Sequence, residues 1–159
     1  MENRVASDPS SRYPKTMTDD VIIRSLDDAD VAEVQALWEA VFPDARTWNQ
    51  PATYLPRKRA QGDDLILVAA RGATVIGAVA LGYDGVRGWV YHLAVDPAAR
   101  RRGVGAALMR AAEERLRARG CPKINLQIVE HNAAVVAFYT RLGYAVEPRI
   151  SMGKCIAEP

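Results

Sequence analysis

This sequence predicts a mixed α/β (α+β) fold, one sheet with helices on both faces, on three observations. Apolar runs at 65–70, 74–81 and 89–95 follow one another with turn residues between them, which reads as an antiparallel meander. Three other stretches carry apolar residues three and four apart, the period of a helix buried along one side. The run ending at Val95 passes through Asp96-Pro97 into a helical pattern over 103–119, so strand and helix alternate.

The elements follow in order. Residues 1–20 hold Ser, Pro, Asp and Arg without apolar periodicity and read as a flexible extension to a domain over 21–159. Residues 21–26 form a short apolar strand, and Asp27 or Asp28 offers an oxygen to cap the next helix. Val31, Val34, Leu37, Trp38 and Val41 mark that helix, and Pro43 ends it. Residues 42–56 contain three prolines and read as a loop leading into a short helix over 57–61. Asp84-Gly85 is a hairpin turn signal between the second and third strands of the meander. Val104, Leu108, Ala111, Ala112 and Leu116 line one side of the following helix, and Gly120 suits its end. Residues 123–129 alternate as a strand does. Asn132 caps a last helix whose apolar side is Val135, Phe138, Tyr139 and Leu142, and 144–156 reads as a final strand pair or one bent strand.

Composition narrows the classes of function. No run of about 18 apolar residues exists to span a membrane, and the first 20 residues lack the apolar core of a secretory signal. The net charge of +2 gives no general attraction for nucleic acid. Basic character is local to Arg100, Arg101 and Arg102 and to 115–119, the latter read as a solvated helix side. Cys121 and Cys155 make neither a disulfide framework nor a metal site by spacing, so no metal is expected. A reducing cytoplasm is the expected compartment.

Chemistry concentrates between the strand ending at Val95 and the helix beginning near Gly103. A helix start leaves backbone N–H groups without internal partners and carries partial positive charge. Gly103 and Gly105 keep side chains away from that backbone, and three arginines add cationic donors. The combination suits a phosphate or pyrophosphate. Neither G-x-x-x-x-G-K-[ST] nor G-x-G-x-x-G is present, since no Lys-Ser or Lys-Thr follows and the sixth position is Leu108.

What stands is Arg100-x-x-Gly103-x-Gly105-Ala106, and further on Asn132-x-x-Ala-x-x-x-Phe138-Tyr139-x-x-x-Gly143-Tyr144. In this order the two strings resemble motifs A and B of the GCN5-related N-acetyltransferases (GNAT), across most of the chain from residue 21 to about 154. Trp48-Asn49-x-Pro51, Arg57-Lys58, 82–88, 120–124 and Gly153-Lys154 are similar to the YpeA-type bacterial members.

The resemblance implies a mostly antiparallel central sheet, splayed between its fourth and fifth strands, with acetyl-CoA as co-substrate lying in the opening. It implies that the backbone of Leu93, Ala94 and Val95 pairs with the pantetheine arm. The amides of Arg101, Arg102, Gly103, Val104, Gly105 and Ala106 would hold the pyrophosphate beside Arg100. Asn132 would contact the pantetheine, and Tyr139 would protonate the departing thiolate. Transfer to an amine would be direct, with the Val95 N–H stabilising the oxyanion. The general base is less determined. Positions where members carry acids hold Tyr91 and Gln127 here, which leaves His92, Glu130 or a water chain. The same substitutions motivate an alternative, a CoA-sensing module without useful turnover. A nucleic-acid-binding domain is the third and least favoured reading.

Trp48, Tyr54, Arg57 and Lys58 would form a partly cationic, aromatic wall for the amine acceptor. That wall disfavours polyamines. A homodimer paired through the last strands is a further expectation.

Overall fold

The computed structural model describes residues 20–156, so the extension expected over 1–20 lies outside the described residues, Asp20 apart. The chain divides into two compact units, Met1–Gln127 and Ile128–Pro159.

The first unit holds one sheet of five strands in chain order: β1 (Val21–Ser25), β2 (Ile66–Arg71), β3 (Thr74–Tyr83), β4 (Gly88–Val95) and β5 (Ile124–Asn125). The first four pair antiparallel, so the expected meander is present, and β5 alone runs parallel to its neighbour. The β3–β4 turn is fixed as the Asp84-Gly85 signal implies. Gly85 sits at φ 87°, and Asp84 Oδ1 accepts the N–H of Val86 at 2.8 Å and of Arg87 at 2.6 Å.

Side chains alternate across a strand, and both sides of this sheet are covered. Ile66, Val68, Ala78, Ala80 and Ala94 pack with Val34 and Trp38 of α1 (Val31–Val41) and Leu55 of α2 (Pro51–Arg59). On the other side a Cβ added to Gly77 would lie 3.0 Å from Leu108 and 3.2 Å from Val104 of α3 (Val104–Ala118), so α3 covers that side closely. The helices on two faces expected from the alternation are therefore present. Near the start of β3 the pairing slips between Ala69↔Gly77 and Ala70↔Val75, and this bulge carries Val75 into the α1 side.

Three sequence expectations are corrected. Residues 42–56 are not all loop. Pro51 opens α2 as its first residue, where the missing N–H costs nothing, and Pro56 sits inside the same helix. The strand expected over 123–129 shrinks to Ile124–Asn125, because only the first two residues of β4 offer it a partner. Arg115 is no solvated surface cation: its guanidinium donates to Ser25 Oγ at 3.1 Å and to Asp64 Oδ2 at 2.5 Å.

The second unit holds α4 (Ala133–Arg141). Asn132 caps it as expected, its side-chain oxygen accepting the Val135 N–H at 3.3 Å, and Gly143 closes it at φ 92°. No strand forms among residues 144–156, contrary to expectation. Pro148 removes a ladder donor there, and Val146, Ile150, Met152 and Ile156 all lie exposed rather than on a buried face. Among the described residues no helix is long and apolar enough to cross a membrane.

Candidate active site

The sheet opens beside the strand that leads into Arg100–Ala106. Parallel pairing joins Gly88 to Ile124 and Trp89 to Asn125 and goes no further, so among the described residues β4 beyond Trp89 has no strand beside it on the β5 side. The expected splay between the fourth and fifth strands is thus present. Backbone direction along this free edge follows from its last bonds. The Asp96 N–H donates to Ile76 O at 2.9 Å, toward β3. Backbone groups alternate sides along a strand, so Val95 turns its N–H and C=O to the open side. Arg100 Nε donates to Val95 O at 3.1 Å, which leaves the Val95 N–H as the available donor on that side.

Immediately beyond lies a cradle of amides. Asp96 Oδ1 accepts the Ala98 N–H at 2.8 Å and shapes a 3-10 turn over Pro97–Ala99. Arg101 follows at φ 61° and Gly103 at φ 81°, both left-handed. Such reversals turn successive N–H groups to one side and make a concavity for anions. The bond into the helix closest to its start runs from the Ala107 N–H to Gly103 O at 2.9 Å, so the amides of Val104, Gly105 and Ala106 are the unpaired donors of a helix start. Arg101 and Arg102 are exposed beside it. The residues expected to hold a pyrophosphate, Arg100 through Ala106, therefore stand together, with one donor of Arg100 turned back onto β4. Free edge and cradle fit an extended arm that ends in a diphosphate.

His92 lies in the middle of β4 at φ 47°, left-handed and strained for a side-chain-bearing residue. Its ring packs against Tyr54 at 4.3 Å between centroids, Trp38 at 5.2 Å and Phe42 at 5.4 Å. Nε2 lies 3.1 Å from the carbonyl oxygen of Asn49. A carbonyl only accepts, so Nε2 carries the proton and Nδ1 keeps the lone pair of the neutral ring. Nδ1 is buried and finds no partner among the described residues. Burial lowers the imidazole pKa, and the Asn49 carbonyl partly offsets that. The sequence pointed to His92 by residue type alone. Asn49 and Phe42, on a segment read as loop, carried no signal of their part in holding it.

Tyr54 faces His92 as part of the expected wall, half-buried, and Trp48 is exposed with Arg46 5.9 Å above its ring. Lys58 leaves the wall: it is buried, bonded to Asp63 and Gln61. Burial also raises the Tyr91 hydroxyl pKa.

Within the second unit, Tyr139 is buried, with its ring edge-on to Phe138 at 5.0 Å and to Tyr144 at 5.5 Å. Burial pushes its hydroxyl well above the ordinary tyrosine range, so it stays protonated through neutral pH. Glu130 and Asn132 are exposed. Among the described residues no group of three or more His, Cys, Asp or Glu side chains gathers to hold a metal.

Residues 31–144 match the family model described as the acetyltransferase (GNAT) family. An acetyltransferase of Yersinia pestis is 42% identical over 132 residues, covering 83% of this chain and 93% of the relative. Among solved structures, Ard1 of Thermoplasma volcanium superposes with a TM-score of 0.72 at 22% identity, over 80% of this chain and 84% of that one. The aminoglycoside N-acetyltransferase AAC(6')-Iy in complex with CoA gives a TM-score of 0.68 at 16% identity, over 86% and 95%. At those identities the two structures share the fold.

Proposed function

The chain belongs to the acetyltransferase (GNAT) family, and from that premise we propose that it moves the acetyl group of acetyl-CoA directly to a primary amine of a small molecule or peptide. The observation that carries this reading is the free edge of β4 running straight into the amide cradle at the start of α3. Acetyl-CoA, when bound, supplies the activated acetyl thioester. The edge Leu93–Ala94–Val95 lies along its pantetheine arm, with Val95 turning its backbone groups toward it, an added strand in effect. The amides of Arg101 through Ala106 hold the diphosphate, with Arg100, Arg101 and Arg102 adding charge. Asn132 contacts the same arm. The acceptor amine attacks the thioester carbon. The Val95 N–H stabilises the oxygen as charge gathers there, and the carbon–sulfur bond then breaks. Tyr139 gives its proton to the departing thiolate, a role that suits a hydroxyl kept protonated by burial.

Two side chains are candidates for taking the amine's proton. His92 is neutral by burial and keeps a lone pair on Nδ1, which supports it, whereas that atom lies sealed among aromatic rings. Glu130 is an exposed carboxylate. The acceptor wall is aromatic and cationic through Trp48, Tyr54, Arg46 and Arg57, which favours an amine that also bears a carboxylate or phosphate over a polyamine. The two free cysteines suit the reducing cytoplasm. A homodimer paired through the exposed apolar residues of 144–156 belongs to the same reading.

A second reading, a CoA sensor without turnover, is favoured by Tyr91 and Gln127 standing where acids are usual. One experiment separates the two: free thiol release from acetyl-CoA across amines, amino acids and N-terminal peptides, with Tyr139→Phe beside the wild type. The expected result is wild-type turnover that falls by about 10²–10⁴ in kcat in the variant while CoA affinity holds. CoA binding with no thiol release from any acceptor would favour the sensor. No CoA binding by calorimetry would remove both.

A further inference from the structure

Between Ala78↔Ala94 and Ala80↔Tyr91, β4 spends two residues, His92 and Leu93, opposite the single Val79 of β3. The extra residue makes a bulge, and a bulge re-aims the strand beyond it. The strand beyond it is Leu93–Ala94–Val95. His92 makes the bulge by adopting φ 47°, a region that His, Asn and Asp visit several-fold more often than other side chains and that β-branched residues avoid.

A strained backbone persists where its surroundings over-determine it, and here the imidazole is what they hold. Trp38 and Phe42 grip it from α1 and its end, and Tyr54 from α2. Its Nε2–H is tied to Asn49 O in the 3-10 turn Thr47–Asn49. The titratable ring in contact with it is Tyr54, Tyr91 precedes it on β4, and burial and the Asn49 carbonyl, not a charged side chain, shift its pKa. One side chain therefore joins the free edge of β4 to the segment that carries the aromatic wall.

We propose that His92 is a positioning residue for acetyl transfer: its left-handed φ makes the β4 bulge that aims Leu93–Val95 at the thioester, and its ring, clamped by Trp38, Phe42, Tyr54 and the Asn49 carbonyl, ties that bulge to the acceptor side. This rests on the acetyltransferase reading above, and it assigns the imidazole a role that needs no proton transfer.

Three variants test it. His92→Val cannot hold the left-handed φ, so the bulge relaxes and CoA affinity falls about tenfold or more. His92→Asn keeps that φ while removing the ionisable ring, so CoA affinity stays within about threefold and the acid limb of kcat/KM keeps its wild-type pH. His92→Gly also keeps the φ and loses the bond to Asn49. Its CoA affinity holds, and KM for the acceptor rises.

CoA affinity is read by calorimetry, and melting curves report folding. Should His92→Val not fold, the Asn and Gly variants decide through their pH profiles and their separate effects on CoA affinity and acceptor KM. Wild-type CoA affinity in His92→Val, or loss of the acid limb in His92→Asn, overturns the proposal. CoA binding without turnover in the wild type sinks the catalytic reading alone, and the affinity arms still decide. No CoA binding in the wild type sinks both.

Discussion

Asp30 shows how one side chain can close several accounts. It is 4% exposed and accepts both ends of the Arg24 guanidinium, at 2.5 and 2.9 Å, together with the Asp27 N–H at 2.8 Å. The Arg24 hydrogen bond holds its carboxyl below the usual range. Asp30→Asn turns one acceptor into a donor facing the guanidinium. It should cost about 1–3 kcal/mol, toward the low end because Arg24 is 39% exposed. The urea midpoint should fall with the slope unchanged. His92 sets a dependence on pH of the same sign as Asp30, in a higher window, because its folded pKa is lowered too. Burial lowers its pKa below the unfolded value of about 6.5. Between the two values the unfolded chain binds a proton that the native chain does not, so stability rises with pH through that window and is flat above it. Urea midpoints between pH 5 and 7.5 should show this rise, and His92→Asn should flatten it. An unchanged slope in the variant would assign the dependence elsewhere. His92 could be picked from the sequence by its type. Its conformation could not, because a left-handed φ at a non-glycine residue is imposed by rings that come from two distant helices.

Elements were legible where their boundaries carry their own chemistry. Asp84-Gly85, Gly103, Gly120, Asn132 and Gly143 each stand where the chain turns or a helix begins or ends, and each does so through a local angle or bond. Elements were misread where tertiary contacts decide. α2 contains Pro56 yet stays helical, with Leu55 1% exposed in the core. The strand over 123–129 alternates as a strand should, but alternation says nothing of how long a partner stays alongside. The seam between β4 and β5 is also tightly fitted. A Cβ on Gly88 would lie 2.8 Å from Leu116 Cδ1, 3.0 Å from Cys121 Sγ and 3.3 Å from Ile124 Cγ1. Leu116 is fully buried and has nowhere to swing. Gly88→Ala should therefore destabilise by about 1–3 kcal/mol and weaken CoA binding, since it wedges apart the strands whose divergence makes the opening. A melting temperature equal to wild type would show that the neighbours yield freely.

At the scale of the molecule, the sequence conveyed the order of strands and helices in the first unit and the coincidence of cradle and free edge. Both follow from local patterns repeated in the right sequence. The fate of 144–156 was not conveyed, because an alternating apolar stretch looks alike whether a partner strand is present or not. The parallel seam has a consequence in time. β2, β3 and β4 are joined by short turns, so their rungs close with little loop entropy. β5 reaches β4 only after all of α3 has been threaded past, and two rungs reward that closure. Such a seam should open by local breathing while the meander stays shut. Amide exchange would read this directly. The Gly88 N–H, bonded to Lys123 O at 2.8 Å, should exchange at least about 100-fold faster than the Leu81 N–H, bonded to Leu65 O at 2.7 Å. Equal protection at the two amides would mean that the seam parts only when the whole sheet does. The faster rate would make the fork a fluctuating mouth, with an arriving ligand catching it ajar and its departure timed by the next opening.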